Sequence, residues 1–415
     1  MKIKIVALAL SAVLGFSVAA GAVEWQSFGA QEMGMGGVGV AMAQGPTGSY
    51  WNPAGLGQVE NTSGVSIPIG AEANIHGSLL QGVNDLHNVN NACQSGNLNE
   101  CSQSNINSAL NELASGSAGA NLGAGLDLKF GRLAFFANNL SYAGLQTNID
   151  QTHTNPNSTS PDYIGKNTSS VILNALSVTE VGMGYGHELP WVPGLNVGAN
   201  VKALIGMVGY QNQSITQNGS SNLSLAKNAE TSVEPGVDIG ALWDLNRFVS
   251  WLPFRPRVGI TARNINNPSF KEPAIAVANG AASEMDLGSQ VRAGVALSPF
   301  HFWNIAADAD LTANHTIEGL PSRVVGVGTE INVFNRPWLN IPLRAGISQN
   351  TALSGSGPQW SLGAGFNFFH IVIDAAATIS QNEVVTQNQG STTKIPTDLG
   401  GMIQLSFLFG GAKKS

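Results

Sequence analysis

From about Thr62 to Phe409 the sequence repeats one pattern, apolar residues at every second position in segments of roughly ten. The clearest runs Leu195, Val197, Ala199, Val201, Ala203, Ile205, Met207, with Asn196, Gly198, Asn200 and Lys202 between them. Others run from Val291 to Leu297, Trp303 to Leu311, Ile341 to Ile347, Trp360 to Phe366, Ile371 to Ile379 and Ile403 to Phe409. A period of two sends successive side chains to opposite faces, so each segment is a strand with one apolar face. A soluble β-sandwich would alternate in the same way, and the second face decides between them. In a sandwich that face meets bulk water and carries Lys, Glu and Arg. Here it carries Gly, Asn, Ser, Asp and isolated Arg, which suits a confined lumen. Sandwich strands average about five or six residues. About ten is what a tilted strand needs to cross a bilayer, and in lipid such strands must close into a barrel to pair every backbone group.

The reading is therefore an all-β fold, a transmembrane antiparallel β-barrel of about fourteen strands, with a range of about twelve to sixteen. The candidate strands are 62–73, 119–130, 132–144, 168–189, 194–210, 231–244, 256–266, 286–298, 302–313, 322–333, 340–349, 358–368, 370–380 and 399–409. Gly131-Arg132, Ser298-Pro299-Phe300 and Phe369-His370 read as tight periplasmic turns. Polar stretches at 145–168, 211–230, 267–285, 313–321, 350–357 and 381–398 read as external loops. Charged residues make up only 11% of the chain, less than half the usual complement, which fits a barrel with one face in lipid. The 50 glycines supply small side chains, many of them on lumen faces where they would keep space open. With 19 Lys and Arg against 26 Asp and Glu there is no basic surplus for nucleic acid.

Two segments break the pattern. In residues 76–116 Leu79-Leu80, Val83, Leu86, Val89, Ile106, Leu110 and Leu113 recur at spacings of three and four, which predicts a helical insertion of two short helices. Cys93 and Cys101 fall in its polar middle, where a local disulfide would clasp the end of the first helix. Redox chemistry or a metal would call for a CxxC or a surrounding ligand set, and neither is present. Residues 23–61 are the other exception, rich in glycine, with little strand character at the core, and read as a compact segment without regular structure. Residues 1–22 read as a cleaved signal peptide: Met1-Lys2-Ile3-Lys4, then an apolar run from Ile5 to Val18, then Ala20-Gly21-Ala22. That run is shorter than the roughly 20 residues of a membrane anchor. The implied address is the bacterial outer membrane, with the lipid bilayer as the first partner.

The 23–61 segment contains Gly29-Ala30-Gln31-Glu32-Met33-Gly34-Met35-Gly36-Gly37-Val38-Gly39-Val40-Ala41 and then Gly48-Ser49-Tyr50-Trp51-Asn52-Pro53-Ala54. This resembles the amino terminus of outer-membrane barrels related to the long-chain fatty-acid (FadL-like) transporters. Within that group it is more similar to the conjugal-transfer TraF-like barrel family. Support comes from Val178-Thr179-Glu180-Val181-Gly182 with Gly194-Leu195-Asn196-Val197-Gly198, and from Val237-Asp238-Ile239-Gly240 with Val258-Gly259-Ile260-Thr261-Ala262-Arg263. A better-known transfer protein of the same name is thioredoxin-like, and this chain has neither its CxxC nor its α/β pattern. In the fatty-acid transporter family the segment before the barrel folds inward as a hatch, and hydrophobic substrates leave the lumen sideways through a wall defect. The resemblance therefore implies a plug at 23–61 ahead of a barrel at 62–415, with Gly34, Gly36, Gly37, Asn52, Pro53 and Ala54 as its motif. The competing reading makes Asn52-Pro53-Ala54 a turn leading into the first strand.

No catalytic constellation stands out. Gly34-Met35-Gly36-Gly37-Val38-Gly39 approaches a dinucleotide fingerprint without its strand-to-helix context, there is no GxSxG, and the seven histidines show no metal spacing. The chain is read as a non-enzyme without cofactor or metal. Lys202, Asp238, Arg257, Arg263, Arg292, Asp308, Asp310, Glu330, Arg344 and Asp374 fall on the polar strand faces. They either form ion pairs that stiffen the barrel and anchor the plug, or line a path for a polar or amphipathic ligand. Trp191, Trp243, Trp251, Trp303, Trp338 and Trp360 suit an interfacial girdle, and Phe409 a terminal assembly aromatic. The expected function is passive transport of hydrophobic small molecules through the outer membrane. The alternative is a structural or interaction component of a conjugal transfer or other envelope apparatus, binding envelope or conjugation proteins through external loops or periplasmic helices.

Overall fold

Each alternating segment forms a strand whose apolar positions point away from the barrel axis. The computed structural model describes residues 22–58, 62–97, 99–215, 225–336, 338–388 and 391–409. The leader over 1–22, apart from Ala22, and the tail after Phe409 lie outside the described residues. Fourteen antiparallel strands close the barrel. They are β1 Ser63–His76, β2 Ser117–Phe130, β3 Leu133–Asn148, β4 Ser170–Glu188, β5 Leu195–Ser214, β6 Glu230–Asp244 and β7 Arg257–Arg263, followed by β8 Gln290–Phe300, β9 Trp303–Asp310, β10 Val324–Arg336, β11 Leu339–Asn350, β12 Gln359–Phe368, β13 Ile371–Ser380 and β14 Asp398–Phe409. Sequence neighbours pair throughout, and β14 closes on β1, with Ser63 opposite Phe409 and Asn74 opposite Asp398.

Burial is inverted relative to a water-soluble protein. Ile69, Leu122, Val201, Val233, Leu362 and Ile403 on the outer face are 56% to 68% exposed, whereas Asp127, Glu180, Asn200, Asp238 and Arg263 inside are at most 3% exposed. Lipid is the solvent that makes this arrangement stable. Five links of two to six residues share one rim with the twelve-residue 245–256 link and both ends of the ladder, Ser63 and Phe409. Long links share the other, and in outer-membrane barrels the short-turn rim is periplasmic. The aromatic girdle is lopsided: Trp191, Trp251 and Trp338 are exposed at the short-link rim with Trp243 and Trp303 half-buried beside them, and only Trp360 lies at the opposite end.

The helical insertion lies between β1 and β2. Because β1 starts at the short-link rim and runs across, the insertion sits on the long-link, external rim, which corrects the expectation of periplasmic helices. Numbering the helical turns in chain order, α1 is Ala30–Gly34, α2 Gly48–Trp51, α3 Leu79–Ser95 and α4 Gln103–Ala114. Gly96, at φ 75°, ends α3 in the left-handed region, and the Ser102 hydroxyl accepts from Asn105 N to start α4. Leu79, Val89, Ile106, Leu110 and Leu113 pack between the two helices, and the Cys93–Cys101 disulfide joins them with Cα atoms 4.7 Å apart.

One stretch of wall is incomplete. β7 has only seven residues against fifteen in β6, so β6 ladders with β7 over Ile239–Asp244 alone. At Asn264 the chain turns left-handed (φ 52°), and the link to β8 folds inward as a hairpin of Ser269–Lys271 and Glu284–Asp286. Its Phe270 is fully buried, and Lys271 N donates to Ser232 Oγ of β6 at 3.3 Å.

Candidate functional site

The lumen is filled by residues 23–58, and its inward glycines are what admit them. A Cβ at Gly198 would collide with the backbone of Pro53, one at Gly326 with Gly36, and one at Gly328 or Gly346 with Met35. A Cβ on Gly34 would lie 3.0 Å from Gly363 Cα. These lumen glycines therefore do not hold space open, as the composition suggested. They let two backbones meet where any side chain would separate them. On the plug side Gly36 and Gly37, at φ 79° and 72°, turn the chain in the left-handed region.

Asn52 fixes the next stretch. Its Nδ2 donates to Val40 O and Ala241 O, each at 3.1 Å, and its Oδ1 accepts from Ala54 N at 3.0 Å. One side chain thus joins two parts of the plug to β6 and caps the turn of 3-10 helix at Pro53–Gly57, where Pro53 brings a preset φ. Asn52, Pro53 and Ala54 are buried, with Pro53 and Ala54 seated over Gly198, and β1 begins only at Ser63. Three short helical turns therefore occur in a segment expected to lack regular structure.

The inward charges gather into clusters, each with a contact to the plug. Lys202 Nζ pairs with Glu180 at 3.1 Å and Asp238 at 3.0 Å, and Arg263 Nη2 donates to both Glu180 oxygens at 2.8 and 2.9 Å. Asn200 bridges Asp238 Oδ2 and Ser49 O, at 3.0 Å each. Arg292 Nε donates to Asp310 at 2.7 Å and its Nη1 to Gly37 O at 3.1 Å, while Asp308 Oδ2 accepts from Gly39 N and Val40 N at 2.7 and 2.9 Å. Arg344 joins Glu330 at 2.7 Å to Asp374 at 2.6 Å, and Gln31 donates to Glu330 at 3.0 Å. Arg257 is half-buried at the short-link rim. Sequence reading left Glu180 out of the inward charges, although its parity with Gly182 and Gly184 places it there.

Above the Glu180 cluster the lumen wall turns apolar. Leu140, Tyr142, Leu176, Val178, Leu204 and Val208 of β3 to β5 face inward and pack against Trp25, Phe28, Tyr50 and Trp51 of the plug and Phe270 of the inward hairpin. The Phe270 ring lies over Gly206, where a Cβ would displace it. The Arg263 guanidinium stands 4.0 Å from the Tyr50 ring centroid and 5.1 Å from Trp25, and Arg292 stands 4.9 Å from Trp25 and 5.8 Å from Trp51. No water-sized space remains between Ser49, Tyr50, Phe136, Glu180 and Arg263. Among the described residues no group of His, Cys, Asp or Glu is arranged to hold a metal ion.

The sequence model of the family described as F plasmid transfer operon, TraF, protein matches residues 49–310. The match takes in Asn52-Pro53-Ala54 and begins after Met33 to Gly37. No curated protein matches the chain. Among solved structures the chain is similar to the TodX deltaS2S3 mutant monoaromatic hydrocarbon channel, with TM-score 0.52 and 13% identity over 92% of this chain and 99% of that one. It is similar to the TodX deltaS2 mutant channel at TM-score 0.51 and 12% identity, again over 92% and 99%. The Ralstonia pickettii toluene transporter TbuX gives TM-score 0.50 and 12% identity over the same shares. At this identity the likeness is one of fold.

Proposed function

The chain belongs to the family of the F plasmid transfer operon TraF protein, and on that premise we propose that it is an outer-membrane barrel for passive transport of small hydrophobic molecules. The observation that carries the reading is the apolar inner wall of β3 to β5, closed by Phe270 and the plug aromatics. The wall now packs against the plug aromatics and Phe270, and once these move aside it would offer a hydrophobic solute the same apolar contact. Two pieces cover it, and on this reading both move: residues 23–58 from within, and the hairpin after β7 beside the gap between β6 and β8. The fold is shared with a toluene transporter and a monoaromatic hydrocarbon channel, which supports ligands of that class. Transport needs no covalent step and no energy source, only displacement of these pieces while the solute moves down its own gradient.

Uptake into proteoliposomes tests the reading, comparing toluene with a long-chain fatty acid and with a sugar. Saturable flux of either hydrophobic solute is expected, and no flux above empty liposomes for any of them would end it. A second reading, an interaction component of a conjugal transfer or other envelope apparatus, is favoured by α3 and α4 at the external rim. Under that reading envelope proteins co-purify and flux is absent.

A further inference from the structure

The plug carries only two charged residues between Val23 and Gln58, and both are acidic: Glu24 and Glu32. A stopper selected only to bind a carboxylate-rich lumen would carry Lys or Arg. Among the described residues nine buried acids stand against five buried bases, and the plug adds to the excess side. Glu32 sits in α1 against β11 to β14, where Arg344 already serves Glu330 and Asp374. Its Oε2 has no hydrogen-bond partner and the residue is 6% exposed. From β14 the facing group is Gln404, which is neutral and accepts from Ala30 N. Glu24 faces Glu72 of β1, Asp398 of β14 and Glu318 of the β9–β10 link, with Asn121 of β2 donating to it at 2.7 Å. Glu318 Oε1 is likewise buried without a partner. His315 lies beside this group, its backbone carbonyl accepting from Glu24 N, and His76 follows Glu72 on the same face of β1.

We propose that the plug is held by protons: Glu24 and Glu32 seat as neutral carboxyls, and their ionisation among like charges drives the segment from the lumen. A third carboxylate at Arg344, or a fourth at the mouth, has no cation to answer it, and a buried unpaired charge is the costliest state the plug could adopt. Burial pushes both carboxyls up, to about 8. The seated plug therefore binds protons that the released plug loses. Its hold is complete below the ordinary carboxyl range near 4.5, weakens as pH rises, and stops weakening once pH passes about 8. The inference rests on the proposed function in taking the plug as the moving part.

The test places a cysteine in the plug of the full-length protein, whose native cysteines are bonded to each other. Met35→Cys puts a thiol at a position 1% exposed, and its maleimide labelling rate is divided by that of the denatured protein at each pH. Between pH 5 and 8.5 the normalised rate should rise, by up to about tenfold per pH unit for each proton released. In the Glu24→Gln/Glu32→Gln background it should stay low throughout. A flat rate in the parent, or the same rise in the Gln variant, overturns the proposal. Hydrogen exchange of the 25–43 peptide in the unmodified chain, corrected for intrinsic rate, reads the same equilibrium if the thiol variant does not fold. Neither readout uses a ligand, so a chain that transports nothing and a plug indifferent to pH give different results.

Discussion

The Arg263 guanidinium makes two bonds to the barrel carboxylate Glu180 and lies over the plug ring of Tyr50, so one side chain couples wall and plug. Arg263→Met should leave Glu180 and Asp238 with Lys202 as their shared cation, and breaking such a buried pair costs about 3–5 kcal/mol. The heat-modifiable gel transition should move to lower temperature. Arg263→Lys should recover only part of the loss, because an ammonium lacks the flat guanidinium face that lies over the Tyr50 ring. The lumen glycines make a sharper prediction. Gly346→Ala puts a Cβ against the Met35 backbone while its β-ladder is untouched, so the barrel should stay heat-modifiable and the plug should label as released. Inward charges were legible in the sequence because parity along a strand assigns a face. Their pairings were not, because Lys202 finds Glu180 through the register between β4 and β5. The roles of Trp25, Tyr50 and Phe270 had no local signal, since the arginines and wall residues they meet are distant in sequence.

At the scale of elements, strands were legible to within a few residues because period two is imposed by the bilayer along every crossing. β7 was read as 256–266 and ends at Arg263, since the Asn264 turn that carries the chain inward leaves no mark on alternation. Turns as short as α1 and α2 are too brief to show a helical period. The external elements yield two predictions. Replacing Cys93 and Cys101 by Ser should loosen the α3–α4 insertion by about 2–3 kcal/mol of chain entropy. Hydrogen exchange should quicken over 79–114 and not over the barrel strands. In the β3–β4 link the Asp150 carboxylate accepts from Thr152 Oγ1 at 2.6 Å, His153 Nδ1 at 2.8 Å and Thr168 N at 3.1 Å. These bonds, Thr152 first, hold the carboxyl well below its usual range. The order they give the link is present at neutral pH and is lost as pH falls below the ordinary aspartate range. Asp150→Asn should make residues 149–168 protease-sensitive at pH 7, and an unchanged digest would argue against this role.

The whole molecule is a barrel around its own amino-terminal segment, which runs from the external mouth, where Val23 lies beside His315, down to Gly57 near His187 at the short-link end. Low charge, abundant glycine and alternation all follow from that arrangement: lipid outside, backbone against backbone within, and carboxyls concentrated where the stopper sits. The claim that residues 23–58 close the lumen is tested most directly by osmotic swelling of proteoliposomes in a small sugar. The comparison is between the full chain and a chain lacking those residues, both shown to be folded by heat-modifiable mobility. The full chain should give no swelling above empty liposomes and the shortened chain should swell rapidly. Rapid swelling by the full chain, or none by a folded shortened chain, would contradict the account.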